Sequence, residues 1–309
     1  MSTKKPRLWE PKPHRAVDWN PTAIQRCIDT NGFVYIEPKY DGIRCLIVYL
    51  NNRWVATTRE GIEIAALTDL LGYMKVRLDA VRHLVLDTEV FIEGLTFEES
   101  SGILRRDAAL SVEHADSTRF ALIDTVYRTI DLDSNWTMVH GISLRKRLSE
   151  HADCIQILSS CFLDLGEHRK RCTSLEEVEV HYEKFRALGF EGAIIKDPEL
   201  PYRNGKVSGW FKRKPKITVG GVVTGLRCGD AGKANAGKAV GFHVDLEDGS
   251  SCTATGFTQK LIDYVSSDPE SYLGRAVEVT AMERTAGGKL RHPSFHRFRD
   301  MEGSEGVEA

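Results

Sequence analysis

The chain has 309 residues, which is long for one hydrophobic core and sufficient for two domains. Its hydrophobic content of 41% is ordinary for a globular protein, and its formal net charge of −2 excludes a protein that is basic overall. This charge does not exclude a nucleic-acid-binding protein, because the local clustering of charge matters more than the sum.

The seven cysteines are scattered and form no Cys-x-x-Cys pair, so neither a zinc ribbon nor a disulfide framework is indicated. Cys161, His168 and Cys172 lie close in sequence but lack a fourth ligand, and we interpret them as structural. Residues 1–19 contain no apolar signal segment, and no apolar run approaches the ~18 residues that a membrane span requires. We therefore expect a cytoplasmic protein with reduced thiols and no membrane association.

The first 20 residues are predicted to form an irregular arm. A capping-box spacing at Ser174 and Glu177 predicts a helix start, and Gly189 predicts where that helix ends. The pattern of apolar residues, together with such signals, predicts the following elements up to residue 196: helices over 21–30, 64–81, 143–151 and 174–189, and strands over 33–36, 45–50, 54–59, 84–92, 119–127 and 190–196.

The composition changes near residue 217. Residues 203–216 contain basic side chains and no acid, and short strands broken by glycine follow. The predicted strands lie at 219–226, 239–246, 251–255 and 276–283, with a helix over 259–265. This pattern predicts a small β domain, and the strand count suits a five-stranded barrel of the OB type. We expect three segments: an arm over 1–20, a first domain over 21–216, and an OB-fold domain with an acidic C-terminal tail over 217–309.

The most informative stretch is Glu37-Pro38-Lys39-Tyr40-Asp41-Gly42-Ile43-Arg44, which lies between two predicted strands. We interpret Asp41-Gly42 as a tight turn, because glycine accepts the positive φ that such turns need. A single lysine in this place is often only a turn residue. It is also suited to act as a nucleophile, because partial burial favours the neutral amine that attacks electrophiles.

The spacing Lys-x-Asp-Gly-x-Arg resembles the nucleotide-attachment motif of the covalent nucleotidyltransferases, which include DNA ligases, RNA ligases and mRNA capping enzymes. The later motifs of that superfamily follow in the same order. Thr58-Arg59-Glu60-Gly61 resembles the motif that comes after the nucleophile, and Asp87-Thr88-Glu89 resembles Asp-Gly-Glu with threonine in place of glycine. Ile123 stands where the family often has an aromatic residue against the adenine, with Phe120 close by.

Three further motifs complete the resemblance. Glu191 to Lys196 matches Glu-Gly-x-x-x-Lys, and Lys212 and Lys214 match a Lys-x-Lys motif whose two lysines we expect on one face of a strand. Residues 290–300, which include Arg299, resemble the C-terminal motif of the short ATP-dependent DNA ligases of bacteriophage type. Met301 stands where that motif usually has a lysine.

The resemblance implies an α+β fold, with a nucleotidyltransferase (adenylation) domain of antiparallel sheets and flanking helices, followed by a small OB-fold domain. It implies a monomeric ATP-dependent DNA ligase that seals nicks in double-stranded DNA through a lysyl-AMP on Lys39. It further implies a Mg²⁺ ion held by Glu89 and Glu191, and nucleotide contacts from Glu37, Arg44, Arg59, Glu89, Ile123, Lys212, Lys214 and Arg299. The alternatives are an mRNA capping guanylyltransferase or an RNA ligase of the same superfamily, and a non-enzymatic OB-type binding protein would leave Lys39 unexplained.

Overall fold

The computed structural model of the chain describes residues 5–130, 136–138, 141–150, 152, 158, 162–163, 169–285 and 287–299. The chain divides into two compact units, Met1–Arg213 and Lys214–Ala309. The division falls close to residue 216, where the sequence predicts the end of the first domain. Within the described residues, no helix is long and apolar enough to cross a membrane.

The α-helices flank the sheets of each unit. In the described residues they are α1 Pro21–Asn31, α2 Thr68–Tyr73, α3 Lys75–Asp79, α4 Phe97–Leu104, α5 Val112–Ser117, α6 Leu144–Glu150, α7 Leu175–Ala187 and α8 Gln259–Ser267. Short 3₁₀ helices cover Ala65–Leu67 and Pro269–Tyr272.

The strands of the first unit form two separate sheets. They are β1 His14–Asp18, β2 Val34–Lys39, β3 Ile43–Leu50, β4 Arg53–Thr58, β5 Leu84–Ile92, β6 Thr118–Ile130, β7 Trp136–Met138, β8 Phe162–Leu163, β9 Lys170–Cys172, β10 Gly192–Lys196 and β11 Gly205–Arg213. The first sheet has the order β1-β11-β10-β2-β9. The second has the order β4-β3-β5-β6-β7, and β8 pairs with β6.

Both sheets of the first unit have apolar cores. In the first sheet, apolar side chains such as Ile36 and Ile195 pack with those of α1 and α7. In the second, β3, β4 and β5 bury Ile47 and Leu86 against residues of the segment 64–81. Burial of this apolar surface is what stabilises the two sheets, because each presents one strongly hydrophobic face.

The second unit is built on one antiparallel sheet. Its strands are β12 Ile217–Cys228, β13 Ala239–Leu246, β14 Ser251–Ala254, β15 Ala276–Ala281 and β16 Ser294–Phe298, in the order β14-β13-β12-β15-β16. The two edges approach each other at a single bridge between Thr255 and Ser294. The predicted architecture of sheets with flanking helices is confirmed. No closed barrel is found in the described residues, so the OB barrel stays a prediction.

The structure corrects three local predictions. The arm over residues 1–20 is not irregular throughout, because β1 pairs in parallel with β11 as an edge strand of the first sheet. The helix predicted over 64–81 is wrong as one element: it consists of a 3₁₀ turn, α2 and α3, which are separated at Met74. The capping box at Ser174 is half formed, since Ser174 accepts a hydrogen bond from the Glu177 amide while the Glu177 carboxylate accepts from the amide of Thr173.

Candidate active site

Lys39 lies where the chain passes from one sheet to the other. It is the last residue of β2 in the first sheet, and β3, which begins at Ile43, belongs to the second sheet. The expected turn with a positive φ at Gly42 is wrong, because Gly42 is not among the residues in that conformation. Glycine is required there for close approach instead: a Cβ on Gly42 would lie 2.5 Å from the carbonyl oxygen of Val90.

The amine of Lys39 is held by a neighbouring strand. β10 pairs with β2 so that Gly192 is opposite Lys39, and the Glu191 amide donates to the Lys39 carbonyl oxygen over 3.0 Å. This register places the Glu191 carboxylate against the lysine, where it accepts a hydrogen bond from Nζ. The side chain of Lys39 is 22% exposed and that of Glu191 is 5% exposed. The amine is therefore fixed by a buried acid and remains open to a reactant.

Arg44 is fixed by a buried carboxylate. Its Nε and a terminal nitrogen donate to both oxygens of Asp87, with the second distance being 2.6 Å, and it also donates to the carbonyl of His14 over 3.1 Å. The hydroxyl of Tyr202 donates to Asp87 over 2.7 Å. Burial acts to lower the pKa of Arg44, but the charge and hydrogen bonds of Asp87, together with the charges of Tyr202 and Glu89, outweigh it and the pKa is raised. Such a bidentate pair holds the guanidinium in one orientation.

Glu37 is almost fully buried between two cations. Arg169 donates to one of its oxygens over 2.5 Å, and the ammonium of Lys196 lies 2.7 Å from the other. Lys196 also donates to the Ile123 carbonyl over 2.8 Å and lies 4.3 Å from the centre of the Trp210 ring. Burial lowers the pKa of Lys196, although the Glu37 charge opposes the shift. The two cations keep the Glu37 carboxylate in place beside the nucleophile.

Ile123 faces the pocket from β6, beside a β-bulge. The register between β5 and β6 shifts between Asp87 and Thr88, which are paired with Asp124 and Leu122, so Ile123 is the extra residue. Because Leu122 packs in the helix-side core, the alternation of the strand places Ile123 on the opposite face, and the bulge then places Asp124 on that face as well. Phe120, in contrast, is fully buried in the core of the second sheet. Of the two residues that the sequence offers for contact with adenine, Ile123 is the one in the pocket.

These residues surround one small pocket with a volume of about 70 Å³. Its walls come from both sheets and consist of Ala16, Glu37, Pro38, Lys39, Tyr40, Arg44, Glu89, Ile123, Ile194 and Trp210. Ile123, Ile194 and Trp210 give it apolar surfaces, while the charged side chains lie nearer to Lys39. An apolar slot with a few fixed polar groups is the usual form of a site for a planar base.

The two carboxylates proposed as metal ligands lie near the amine. Glu89 lines the pocket and is paired in register with Arg44. Burial raises the pKa of Glu89, and the charges of Glu191 and Asp87 add to the effect, while those of Lys39 and Arg44 oppose it. No group of three or more acidic, histidine or cysteine ligands exists among the described residues. Two carboxylates fit Mg²⁺, which keeps several waters and shares phosphate oxygens of its substrate.

Arg59 belongs to an adjoining larger cavity. This cavity of about 510 Å³ shares Arg44 and Glu89 with the small pocket and is also lined by Arg59, Phe97 and Arg105. Arg59 pairs with the neighbouring Glu60 over 2.5 Å and is more than half exposed. It therefore lines the larger cavity beside the small pocket and does not line the small pocket itself.

The last three predicted contacts are not part of either cavity. Lys212, on β11, has its ammonium 2.9 Å from Asp18. Lys214 lies after the end of β11, so the expectation that both lysines share one face of a strand is wrong. Arg299 belongs to the second unit, where it pairs with Glu247 and lies 3.5 Å from Glu278. The roles of these three residues stay predictions.

Several important contacts have no strong signal in the sequence. Arg169 follows no recognised motif and meets Glu37 across 132 positions of the chain. Tyr202 and Trp210 stand in or near a basic segment, where the alternation of β11 is obscured. Lys196 and Asp87 are within the motifs, and their spacing could have indicated that they support the residues beside them. Each of these residues has its role because it contacts a residue that is distant in the chain, and the sequence does not show such contacts.

The chain is similar to known proteins over most of its length. Residues 17–214 match the family model described as the ATP dependent DNA ligase domain. The chain is 30% identical to the DNA ligase of Enterobacteria phage T3 over 344 residues, covering 96% of this chain and 97% of the relative. It is also 30% identical to the DNA ligase of Escherichia phage T7, covering 94% and 96%.

A solved structure extends the likeness to three dimensions. The ATP-dependent DNA ligase from bacteriophage T7, in complex with ATP, is 27% identical and has a TM-score of 0.58, covering 94% of this chain and 99% of that chain. The family model covers more than half of the sequence, and the relatives are matched over nearly their whole length. The chain belongs to the ATP-dependent DNA ligases.

Proposed function

We propose that Lys39 is the nucleophile of this ATP-dependent DNA ligase and carries the AMP of a covalent lysyl-AMP intermediate. The observation that supports this most is the fixed amine of Lys39: it is bound to buried Glu191 at the junction of two sheets, with Glu37, Arg44 and Glu89 around it. Its partial exposure leaves room for the α-phosphate of ATP to approach. Holding two reacting groups in line removes much of the entropic part of the barrier.

The proposed chemistry has three steps. The Lys39 amine attacks the α-phosphorus of ATP, a P–N bond forms, and the bond to pyrophosphate breaks. The 5′-phosphate of a nick then attacks the same phosphorus, the P–N bond breaks, and AMP is transferred to the DNA end. Finally the 3′-OH attacks the 5′-phosphate, so that a phosphodiester bond forms and AMP leaves. The protein contributes chiefly position and charge neutralisation in each step.

The buried groups around the pocket fit these tasks. Glu37 is held by Arg169 and Lys196 at the base end of the pocket, and Arg44 is held by Asp87 near the phosphate and ribose. Glu89 and Glu191 would hold Mg²⁺, which would neutralise charge on the phosphate oxygens. Lys212, Lys214 and Arg299 are proposed to offset further charge on the triphosphate. Glu191 keeps the lysine amine oriented while the substrate enters.

We infer that the substrate is a nick in double-stranded DNA and that the protein acts as a cytoplasmic monomer. The named relatives are DNA ligases, which supports DNA over an RNA ligase or a capping guanylyltransferase. The second unit, with five antiparallel strands and a helix, is proposed to be an OB fold that binds the duplex. The bridge between Thr255 and Ser294, on opposite edges, supports a barrel-like curvature.

One experiment separates the candidate functions. The protein is incubated with ATP or GTP labelled at the α-phosphate, and nicked DNA or nicked RNA is then added. We expect label on the protein from ATP only, followed by transfer to nicked DNA and sealing. Labelling by GTP would favour a capping enzyme, and sealing of RNA alone would favour an RNA ligase. No labelling by either nucleotide would contradict the covalent mechanism.

A further inference from the structure

The N-terminal arm, residues 5–13, lies against the turn that carries Arg59. The Leu8 amide donates to the Gly61 carbonyl over 2.8 Å, and Arg7 forms an antiparallel bridge with Ile62. The indole N–H of Trp9 donates to the hydroxyl of Thr57 over 3.0 Å. Leu8 and Trp9 therefore hold the two ends of the turn 57–62 by hydrogen bonds.

The contact between arm and turn is too close for any side chain. Gly61 has a φ of +81°, and a Cβ at this position would lie 1.9 Å from the carbonyl oxygen of Trp9 and 3.1 Å from Cδ of Pro11. Within the turn itself, the Thr58 amide donates to the Ile62 carbonyl over 2.8 Å. The backbone around Arg59 is thus fixed from outside by the arm as well as from inside by the turn.

Apolar packing anchors the arm. Leu8 and Trp9 pack on the cluster of Leu46, Val48 and Val55, which is on the side of β3 and β4 away from the helices. Pro11 and Pro13 are buried, and proline lowers the entropy that the arm loses on ordering. These contacts provide far more stabilisation than the exposed ion pair between Lys5 and Asp107, because such surface pairs contribute little.

The arm also forms part of the larger cavity. Lys5 lines that cavity together with Arg59, Arg44 and Glu89, and its ion pair connects the arm to Asp107, which follows α4. The arm therefore reaches from the turn 57–62 on one wall to the segment after α4 on the other.

We propose that the arm of residues 5–13 is a positioning element for Arg59, and that Trp9 and Gly61 are the residues that fix it. Without this clamp the turn beyond the end of β4 at Thr58 keeps only its internal hydrogen bonds, and Arg59, which is bound only to the adjacent Glu60 in the described contacts, moves relative to Arg44 and Glu89. The inference rests on the proposed ligase function and on a role for Arg59 in it.

The test is a double-mutant cycle on the full chain. Trp9→Phe removes the N–H donor but keeps aromatic packing, Trp9→Ala removes both, and each is combined with Arg59→Ala. The measured quantities are single-turnover rates of self-adenylation and of sealing a pre-adenylated nick. Trp54→Phe is the matched control, since it also loses an indole N–H hydrogen bond, to Asp79, on the helix side of β4 and not on the side that packs on the arm.

We expect Trp9→Phe to slow at least one step about 3-fold to 10-fold and Trp9→Ala about 10-fold to 100-fold, as misplacement of ~1 Å does at a reacting centre. Trp54→Phe should react at the wild-type rate. In the Arg59→Ala background, the Trp9 substitutions should have almost no additional effect, because the residue that the arm positions is gone.

Two results would overturn the proposal. Rate losses from Trp9→Ala and Arg59→Ala that multiply in the double variant would show that the arm acts independently of Arg59. Wild-type rates in either Trp9→Ala or Arg59→Ala would show that the clamp or its target has no role. Both results are distinct from failure of the proposed function, in which the wild-type chain itself would neither take up AMP nor seal DNA.

Discussion

Buried carboxylates orient the cationic side chains in and beside the small pocket. Asp87 holds Arg44, Glu37 holds Lys196 and Arg169, and Glu191 holds Lys39. In each pair the acid is nearly or fully buried, so that the loss of one partner leaves an uncompensated charge in a poorly solvated place. Such a change costs about 3–5 kcal/mol. The ion pairs that hold these side chains in place therefore also stabilise the first unit.

The substitution Tyr202→Phe tests whether the contacts of Asp87 stabilise the first unit, without removing a charge. The pKa of Tyr202 is raised well above the usual value by burial and by the Asp87 charge, so the hydroxyl is protonated and donates to that carboxylate. Tyr202→Phe should lower the free energy of unfolding by about 1.5–3 kcal/mol, the range for hydrogen bonds to charged groups. All five tryptophans lie in the first unit, so their fluorescence during urea unfolding measures this quantity.

The control for that measurement is Tyr73→Phe. Tyr73 is 87% exposed, and loss of its hydroxyl should leave the free energy of unfolding of the first unit unchanged. If Tyr202→Phe were as stable as Tyr73→Phe, the hydroxyl would contribute nothing to holding Asp87.

His14 predicts how stability depends on pH. It is fully buried against Trp210, with ring centres 4.3 Å apart, and burial lowers its pKa from 6.5 to about 4. Its charged neighbours are Asp124, which opposes the shift, and Lys196 and Arg44, which add to it. Between pH 6.5 and about 4 the unfolded chain binds a proton that the folded chain does not. The contribution of His14 to the free energy of unfolding is therefore fully present above pH 6.5 and is lost as the pH falls towards 4.

The expected loss between pH 7 and pH 5 is about 2 kcal/mol, since one pKa unit corresponds to about 1.36 kcal/mol. His14→Phe, which keeps a ring against Trp210, should remove this part of the pH dependence whatever its effect on absolute stability. The measurement is the free energy of unfolding at both pH values for wild type, His14→Phe and the exposed control His243→Gln. An equal slope for all three proteins would contradict the assignment to His14.

At the scale of elements, the position of each strand end decides which residues reach the site. The change of sheet between β2 and β3 exposes Lys39, and the alternation of β6 places Ile123 in the pocket, on the face opposite Leu122. Thr88, which replaces the usual glycine, fits because its hydroxyl donates to the carbonyl of Cys45 over 2.8 Å on the buried side of β5. The substitution is therefore compatible with Glu89 facing the pocket from the same strand.

The place of Ile123 in the pocket predicts an effect on ATP binding. Ile123→Ala should raise the KM for ATP in self-adenylation about 10-fold to 60-fold, because the substitution removes three carbon atoms that contribute up to about 0.8 kcal/mol each when buried. The maximal rate should change much less, since Lys39 and its partners are not altered. Phe120→Leu, in the core, is the control that lowers stability while leaving this KM unchanged. The reverse result, with Phe120→Leu affecting the KM and Ile123→Ala not, would mean that the base lies elsewhere.

Local signals in the sequence predict much of this fold and part of the site. Helix α1 begins after Asn20, whose side chain accepts from the Ala23 amide, and ends at Gly32 with a φ of +79°, as the sequence indicates. The motifs predict Glu37, Lys39, Arg44 and Glu89 in one site, and all four line one pocket.

What could not be predicted depends on contacts between distant parts of the chain. The sequence cannot show that β2 and β3 belong to different sheets, because both are apolar runs with a short connection. Nor can it show that Arg169 meets Glu37, or that the arm continues into β1 and pairs with β11. The sequence also gives the wrong reason for glycine at position 42. Glycine is needed there because the backbone of Val90 approaches closely, and not because the turn requires a positive φ.

At the scale of the whole molecule, the two units carry different parts of the proposed chemistry. Lys39 belongs to the first unit and Arg299 to the second, where Arg299 is paired with the exposed Glu247. The resemblance to phage-type ligases implies that Arg299 stabilises the departing pyrophosphate, for which the planar guanidinium is well suited. Only the first of the three steps releases pyrophosphate, so the role of Arg299 should be limited to that step.

Arg299→Ala should therefore slow self-adenylation about 100-fold to 1000-fold, as loss of one charge-stabilising donor does in other active sites. It should leave the sealing of a pre-adenylated nick almost unchanged. Single-turnover rates on ATP and on pre-adenylated DNA measure the two effects. Arg297→Ala is a matched control, because Arg297, two residues earlier in the chain, also pairs with Glu278 of β15. Equal losses in both steps would mean that Arg299 supports folding or DNA contact instead.

The central claim is that Lys39 carries the nucleotide. The most direct test is to identify the residue that labelled ATP modifies. The protein is incubated with ATP labelled at the α-phosphate and digested, and the labelled peptide is sequenced for wild type, Lys39→Ala, Lys39→Arg and the exposed control Lys146→Ala. We predict that the label lies on Lys39 in wild type and in Lys146→Ala, and that both Lys39 variants, although folded, take up none. Labelling of another residue, or persistent labelling of Lys39→Ala, would contradict the account.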